Sequence, residues 1–223
     1  DRQSWIVENT LTYENKFGDH NLRVLAGQSA QQYKYYKLIA SARNVPNNSE
    51  GDMYLKLGNT DGREVKDDGD LYTVSSYFGR VNYAYKDKYL LTASLRADGS
   101  SKFYGDQRWG YFPSVGVGWV ISDEPFLKDT KIFDNLKIRG SWGKVGNASV
   151  PSNLGVQRVA QDPYLTAIFG GIVNTGASIN SIVAPVTYWE RAVGTDIGIE
   201  ASALQNRLYV EAGWYNKKTQ QAI

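Results

Sequence analysis

Apolar and polar residues in this chain alternate with a period of two, over stretches too long for the strands of an ordinary soluble domain. In "YKDKYLLTASLRADGSSKF" (residues 85–103) the odd positions Tyr89, Leu91, Ala93, Leu95 and Ala97 are apolar, while the even ones include Thr92, Ser94, Arg96, Asp98 and Ser100. Period two marks a strand whose two faces see different surroundings. The pattern predicts strands over 5–17, 21–29, 73–85, 89–100, 110–122, 135–143, 190–203 and 207–216. Helical periodicity is confined to a possible short turn at 123–127. Strands in soluble domains run about 5–6 residues, whereas a tilted bilayer crossing takes about 9–11, a length several of these reach.

The connections alternate in length. "GDHN", "KDK" and "LQN" are short and "DEPFLKDTKIFD" is moderate; between them lie long stretches near 30–72, 101–109 and 144–189. A meander places successive connections at opposite ends of the sheet, so the short ones share one rim and the long ones the other. That asymmetry belongs to outer-membrane barrels, with short periplasmic turns and long extracellular loops. Structureless connections of about 40 residues are rare in compact soluble domains and suit a surface that meets a ligand or partner.

One face collects Val81, Tyr83, Leu91, Leu95, Val115, Val117, Trp119, Ile138, Ile197, Ile199, Val210 and Trp214; the other collects Arg80, Thr92, Ser94, Arg96, Asp98, Lys137, Arg139, Asp196, Glu200 and Glu211. A soluble sandwich that binds carbohydrate would alternate in the same way, so pattern alone leaves both architectures open. Aromatic residues favour the membrane: Tyr83, Tyr85 and Tyr89 flank a short turn, and Trp119 and Trp214 are expected near the same rim, as in an interfacial girdle. Detergent dependence separates the two readings.

Composition narrows the function. A net charge of +2 gives no basic field for a phosphate backbone, so no nucleic acid is expected. With no cysteine and a single histidine, His20 in the turn "FGDHN", thiolate metal sites and most histidine chemistry lack parts; His20 reads as a solvated turn residue, and no cofactor is expected. No apolar run is long enough for a transmembrane helix. Asp196 and Glu200 share a face, but four residues of strand separate them by about 13 Å, beyond the ~5–9.5 Å of paired catalytic carboxylates, so no enzyme is expected. The chain lacks an initiator methionine and stops just after a strand pattern, which reads as an internal piece of a longer protein.

Five blocks then occur in order: "RADGSSKF" (96–103), "RWGYFPSVGVGWVISDEPFL" (108–127), "LKIRGSWGKVGN" (136–147), "WERAVGTDIGIEA" and "NRLYVEAGWYNKKT". Together they resemble the SusC/RagA-type TonB-dependent outer-membrane transporters, from about residue 9 to the end. The resemblance implies an all-β antiparallel transmembrane barrel of about 22 strands closed around a plug, of which residues 1–223 would be a partial barrel domain of about eight strands. It implies import of oligosaccharides or peptides with a SusD-like surface lipoprotein, energy from the TonB complex through a plug region outside this chain, and contact with outer-membrane lipid.

On that reading Arg80, Arg96, Asp98, Lys137, Arg139, Asp196 and Glu200 face the lumen. Arg96 and Asp98, two apart, share a face and are placed either to dock a plug or pass substrate, or to satisfy neighbouring charges such as Arg80 and Arg139. Pro113 cannot donate to a ladder and is expected near a rim. The aromatics Tyr35, Tyr36, Trp109, Tyr164, Tyr188 and Trp189 are candidates to stack on sugar faces or contact a lid; packing of loops on one another is the alternative.

Overall fold

The structure, a computed structural model, describes residues 1–45, 54–128, 132–150, 152, 159–179 and 188–221. Among them ten strands form: β1 (Arg2–Phe17), β2 (His20–Ser41), β3 (Glu64–Tyr85), β4 (Tyr89–Ser100), β5 (Trp109–Val120), β6 (Asn135–Asn147), β7 (Val159–Phe169), β8 (Ile172–Ile179), β9 (Glu190–Ala203) and β10 (Leu208–Gln220). A one-turn helix, α1 (Pro125–Lys128), lies in the β5–β6 connection, where the sequence predicts a turn. Eight strands make one antiparallel sheet in the order β1-β2-β3-β4-β5-β6-β9-β10. Residues 73–122 therefore lie in a single sheet, and the sandwich is not the fold.

Two departures from the expected meander concern the long connections. β2 and β3 run far beyond their expected ends and pair from His20 opposite Tyr85 to Ser41 opposite Glu64, so about half of 30–72 is ladder. Alternation fades there because both faces of the extension mix polar and apolar residues, and an antiparallel ladder needs only a partner backbone. The second departure is a separate hairpin, β7–β8, turned at Gly170 and Gly171 inside 144–189; β6 consequently pairs with β9 rather than with its sequence neighbour.

Within the eight-stranded sheet the short connections fall on one rim. Gly18 makes a two-residue turn at φ 58°, a backbone state glycine adopts without steric cost. Lys86 and Asp87 adopt φ 53° and 54° in the next turn. The Lys86 amide donates to the carbonyl of Asp19 at 2.8 Å, tying the two turns together. His20, expected as a solvated turn residue, instead opens β2: its Nδ1 lies 2.6 Å from the Tyr83 hydroxyl, and its ring stacks on Phe17.

Register carries the apolar set across all eight strands. Tyr83, Leu91, Val117, Ile197 and Trp214 are aligned through successive pairs, and so are Tyr85, Tyr89, Trp119, Ile138 and Ile199. Trp214 thus lies one alternate position farther from the short turns than Trp119. On β5 the apolar face begins and ends on tryptophan: Trp109 and Trp119, ten residues apart, span about 33 Å of strand and about 25 Å of height at a tilt of about 40°, the apolar height of an outer-membrane barrel. Toward the long-connection rim the same face carries Trp109 and Tyr111 on β5 and, in register with Val115, Trp142 on β6. Leu11 is 74% exposed, Val117 57% and Ile197 53%. Apolar surface this continuous is not left in water.

The buried core is small and sits on the opposite rim. β5 and β6 are paired from Ser114–Gly143 to Val120–Lys137 and no further. Pro113 occupies the first residue of β5 beyond that ladder, where its missing N–H costs no pairing with β6. Above it, Phe112 fills the gap between the parted strands and packs with Phe103, Val150 and Trp189.

Candidate functional site

The polar face carries two charge clusters built from the alternate residues of neighbouring strands. In the larger, Arg139 on β6 reaches across β9: its guanidinium pairs with Asp196, with Glu200 at 2.9 Å and with Glu211 on β10 at 3.0 Å. Lys137 completes it at 3.4 Å from Glu200. Gly198 makes room, since a Cβ there would stand 3.0 Å from the Arg139 guanidinium carbon. One arginine thus bridges carboxylates from two strands, so Asp196 and Glu200 are joined through a cation although they are far apart along β9.

The second cluster holds Arg96 and Asp98. The Arg96 Nε donates to both carboxylate oxygens of Asp98, at 2.7 and 2.9 Å, and an Nη donates to the Ser76 hydroxyl at 3.0 Å. Its guanidinium also lies over the Phe78 ring, 5.4 Å from the centroid, and Phe78 rests where Gly27 has no side chain. Asp98 is therefore satisfied by its own neighbour; Arg139 belongs to the other cluster. Arg80 is exposed and, among the described residues, has no ion-pair partner.

The aromatic candidates are dispersed. Tyr35 and Tyr36 lie in the extended part of β2, Tyr35 beneath the Arg2 guanidinium at 5.3 Å. Trp109 opens β5 on the apolar face, stacked on Tyr77 at 6.0 Å and over Gly99. Tyr188 is half-exposed just before β9, whereas Trp189 is 5% exposed, stacked on Phe103 at 4.8 Å with its indole N–H donating to the Arg108 carbonyl. Tyr164 falls in β7, and its side chain lies outside the described residues.

Sequence reasoning missed an anchor on the short-turn rim. Glu124, buried beside α1, accepts hydrogen bonds from the Tyr89 hydroxyl at 2.7 Å and the Trp119 indole at 3.1 Å, and Lys88 lies 3.6 Å away. Those two bonds, with the Lys88 charge, hold its carboxyl below the usual glutamate range against the opposing effect of burial. A signal exists in the pairing: Tyr89 and Trp119 are ladder partners, and an acid in the connection that follows Trp119 can reach both. Glu211 falls on the polar face by alternation alone, but its place in the Arg139 cluster depends on the β9–β10 register.

Known proteins resemble this chain. The family described as "TonB dependent receptor-like, beta-barrel" matches residues 1–223. TonB-dependent receptor P26 of Formosa agariphila is 34% identical over 228 residues, covering 97% of this chain and 22% of that protein. TonB-dependent receptor SusC of Bacteroides thetaiotaomicron is 34% identical over 149 residues, 66% of this chain and 15% of that one. The RagAB peptide importer in its closed-closed state superposes with a TM-score of 0.83 at 26% identity, over 97% of this chain and 23% of that one. The chain spans roughly a fifth of the length of such relatives. With one apolar and one polar face on an eight-stranded antiparallel sheet, and a match along its whole length, the chain belongs to the TonB-dependent receptor β-barrel family and is a section of an outer-membrane barrel.

Proposed function

We propose that residues 1–223 form part of the wall of a TonB-dependent importer that takes up oligosaccharides or peptides with a SusD-like surface lipoprotein. The observation that carries this reading is the apolar face, continuous over eight strands and bordered by aromatic belts, set back to back with a face of paired charges. Lipid meets the first; the second lines the lumen with Arg80, Arg96, Asp98, Lys137, Arg139, Asp196 and Glu200. TonB acts through a plug region outside this chain, so its coupling is assigned to no residue here. Asp196 and Glu200 are engaged by Arg139, which supports a role in holding strands in register rather than in catalysis.

The long-connection rim is extracellular. Tyr35, Tyr36 and Tyr188 stand toward that rim and are the residues proposed to meet ligand or lid, with Tyr164 as a further candidate. Trp109 supports the outer aromatic belt, and Trp189 the packing of loops on β5. The likeness to the RagAB peptide importer supports peptides, the SusC/RagA-type resemblance of the sequence blocks supports oligosaccharides as well, and uptake of the two labelled classes decides between them.

Topology and transport test the proposal together. Epitope tags are placed in the full-length receptor at Asp61, in the 42–63 connection, and at Asp87. Positions near Asn48 and Asn153, equally suitable by parity, lie outside the described residues. Antibody should label the Asp61 tag on intact cells and the Asp87 tag only after permeabilisation. Uptake of labelled oligosaccharides or peptides should stop when TonB is deleted. Asp87 labelling on intact cells, or uptake indifferent to TonB, would overturn the reading.

A further inference from the structure

On the polar face Arg96, Lys137 and Arg139 are each paired with acids, whereas Arg80 and Lys217 have no ion-pair partner among the described residues. On the apolar face, toward the long-connection rim, Lys144 on β6 and Lys218 on β10 both lie opposite Val193 on β9. Arg191 is two residues farther along β9 and therefore on the same face. Among the described residues none of the three has an ion-pair partner. The outward positions of β4, β5, β6, β9 and β10 carry no carboxylate to supply one. The Arg191 Nε is also buried without a hydrogen-bond partner, an unmet donor of a kind that folded proteins seldom leave.

From this we infer that Lys144, Arg191 and Lys218 form a binding site for a phosphorylated lipid headgroup of the outer leaflet. Strand spacing sets the geometry. Lys144 and Lys218 are two strands apart, about 10 Å at Cα, and Arg191 is about 8 Å from each, so the three side chains can converge on one headgroup. Depth is set by tryptophan. Lys144 follows Trp142 by two residues and lies over its ring, 5.6 Å from the centroid, and Lys218 follows Trp214 by four, so each cation lies on the long-connection side of a tryptophan, the side of the outer headgroups in the proposed topology. Phosphate suits the set: lysines act as point charges and arginine as a planar donor, and a phosphate would give the guanidinium an anionic partner. The apolar residues below, Ile197 and Val117, meet the acyl chains. Lysines that merely reach water from an apolar surface would need no third cation and would not include an arginine whose Nε is sealed off.

The inference rests on the apolar face being lipid-facing but not on transport. It is tested with the full-length receptor, extracted in mild detergent and presented with bisphosphorylated lipid A, with the same lipid dephosphorylated, and with inorganic phosphate alone. Native mass spectrometry reads the retained lipid. The intact receptor should keep lipid A and lose at least tenfold of it when Lys144→Gln, Arg191→Gln and Lys218→Gln are combined, and the dephosphorylated lipid should be retained as poorly by both. Lys217→Gln, adjacent in sequence but on the polar face, should change nothing, and heat-modifiable gel mobility verifies that each variant is a folded barrel. Equal retention by wild type and triple variant would overturn the site, as would displacement of lipid A by inorganic phosphate at equal concentration. A receptor that imports ligand under TonB yet retains no lipid A fails here alone; one that stays monodisperse without detergent fails at the membrane reading itself.

Discussion

On the polar face Arg139 gathers Asp196, Glu200 and Glu211, and Arg96 holds Asp98; on the apolar face, by contrast, Leu11, Val117 and Ile197 are left more than half exposed. The first face is satisfied internally, by charges that strand register brings together. The second is satisfied only by what surrounds it. The same alternation therefore yields two surfaces with different sensitivities: a charge placed outward has no partner to find, whereas one placed inward joins a network of polar groups.

Leu95 and Ser94 sharpen that contrast most, being adjacent residues of β4 on opposite faces. Leu95 lies opposite Gly79 and Pro113, roughly midway between Tyr89 and the Trp109 belt, whereas the Ser94 hydroxyl is 2.7 Å from that of Ser114. Leu95→Arg should destabilise the full-length barrel in lipid vesicles by about 2–4 kcal/mol, the cost of an arginine near the bilayer midplane. Ser94→Arg should cost clearly less, as it enters a wet, polar surface. Equal shifts in denaturant midpoint would remove the distinction between the faces.

Gly146 probes the place where that distinction ends. Beyond the β5–β6 ladder the Phe112 ring enters the gap, and a Cβ on Gly146 would stand 2.0 Å from it. Gly146→Ala should cost about 1–3 kcal/mol by overpacking, measured by denaturant unfolding of the full-length protein, and a second change, Phe112→Ala, should recover part of the loss. Additive losses would mean that the two residues do not share this space.

Within the polar face, Arg139 and Arg80 should separate. Arg139→Met leaves three carboxylates facing one another and should lower the unfolding midpoint well beyond Arg80→Met, which removes an exposed, unpaired charge and should stay within about 0.5 kcal/mol of wild type. Reversal of that order would mean that Arg80, rather than Arg139, is the residue whose charge the assembled lumen needs.

Much of this was legible in the sequence because the membrane imposes it. A strand with lipid on one side must show its period, and Leu91, Leu95, Val117, Ile138 and Ile199 do so with no help from tertiary structure. The extension of β2 and β3 was not legible, since Tyr33, Lys34, Tyr35 and Tyr36 break the alternation and only a partner strand stabilises them. Nor was the Phe103–Phe112–Val150–Trp189 cluster, which joins segments up to 86 residues apart and leaves no local pattern. Arg96 with Asp98 could be paired from spacing alone. The association of Arg139 with three carboxylates could not, because it requires the register of β6, β9 and β10 together.

The short-turn rim offers the finest test, because there the two faces meet at a titratable group. Glu124 accepts bonds from Tyr89 and Trp119, both on the apolar face, and draws Lys88 toward the turn. With its carboxyl pKa held below the usual range in the folded barrel, the unfolded chain binds this proton more readily. The stabilisation is therefore complete above the ordinary glutamate pKa of about 4.3 and is lost as pH falls through the lower folded value. Glu124→Gln keeps an acceptor for Tyr89 and Trp119 but cannot ionise. Wild type should exceed this variant in thermal stability by a constant margin from pH 8 to about 5, and the margin should close on further acidification. Lys88→Gln should narrow the margin without abolishing it, because the two hydrogen bonds outrank the lysine charge as causes of the shift. A margin that widened as pH fell would mean that Glu124 is held protonated in the folded barrel, and that its bonds to Tyr89 and Trp119 are those of a neutral acid.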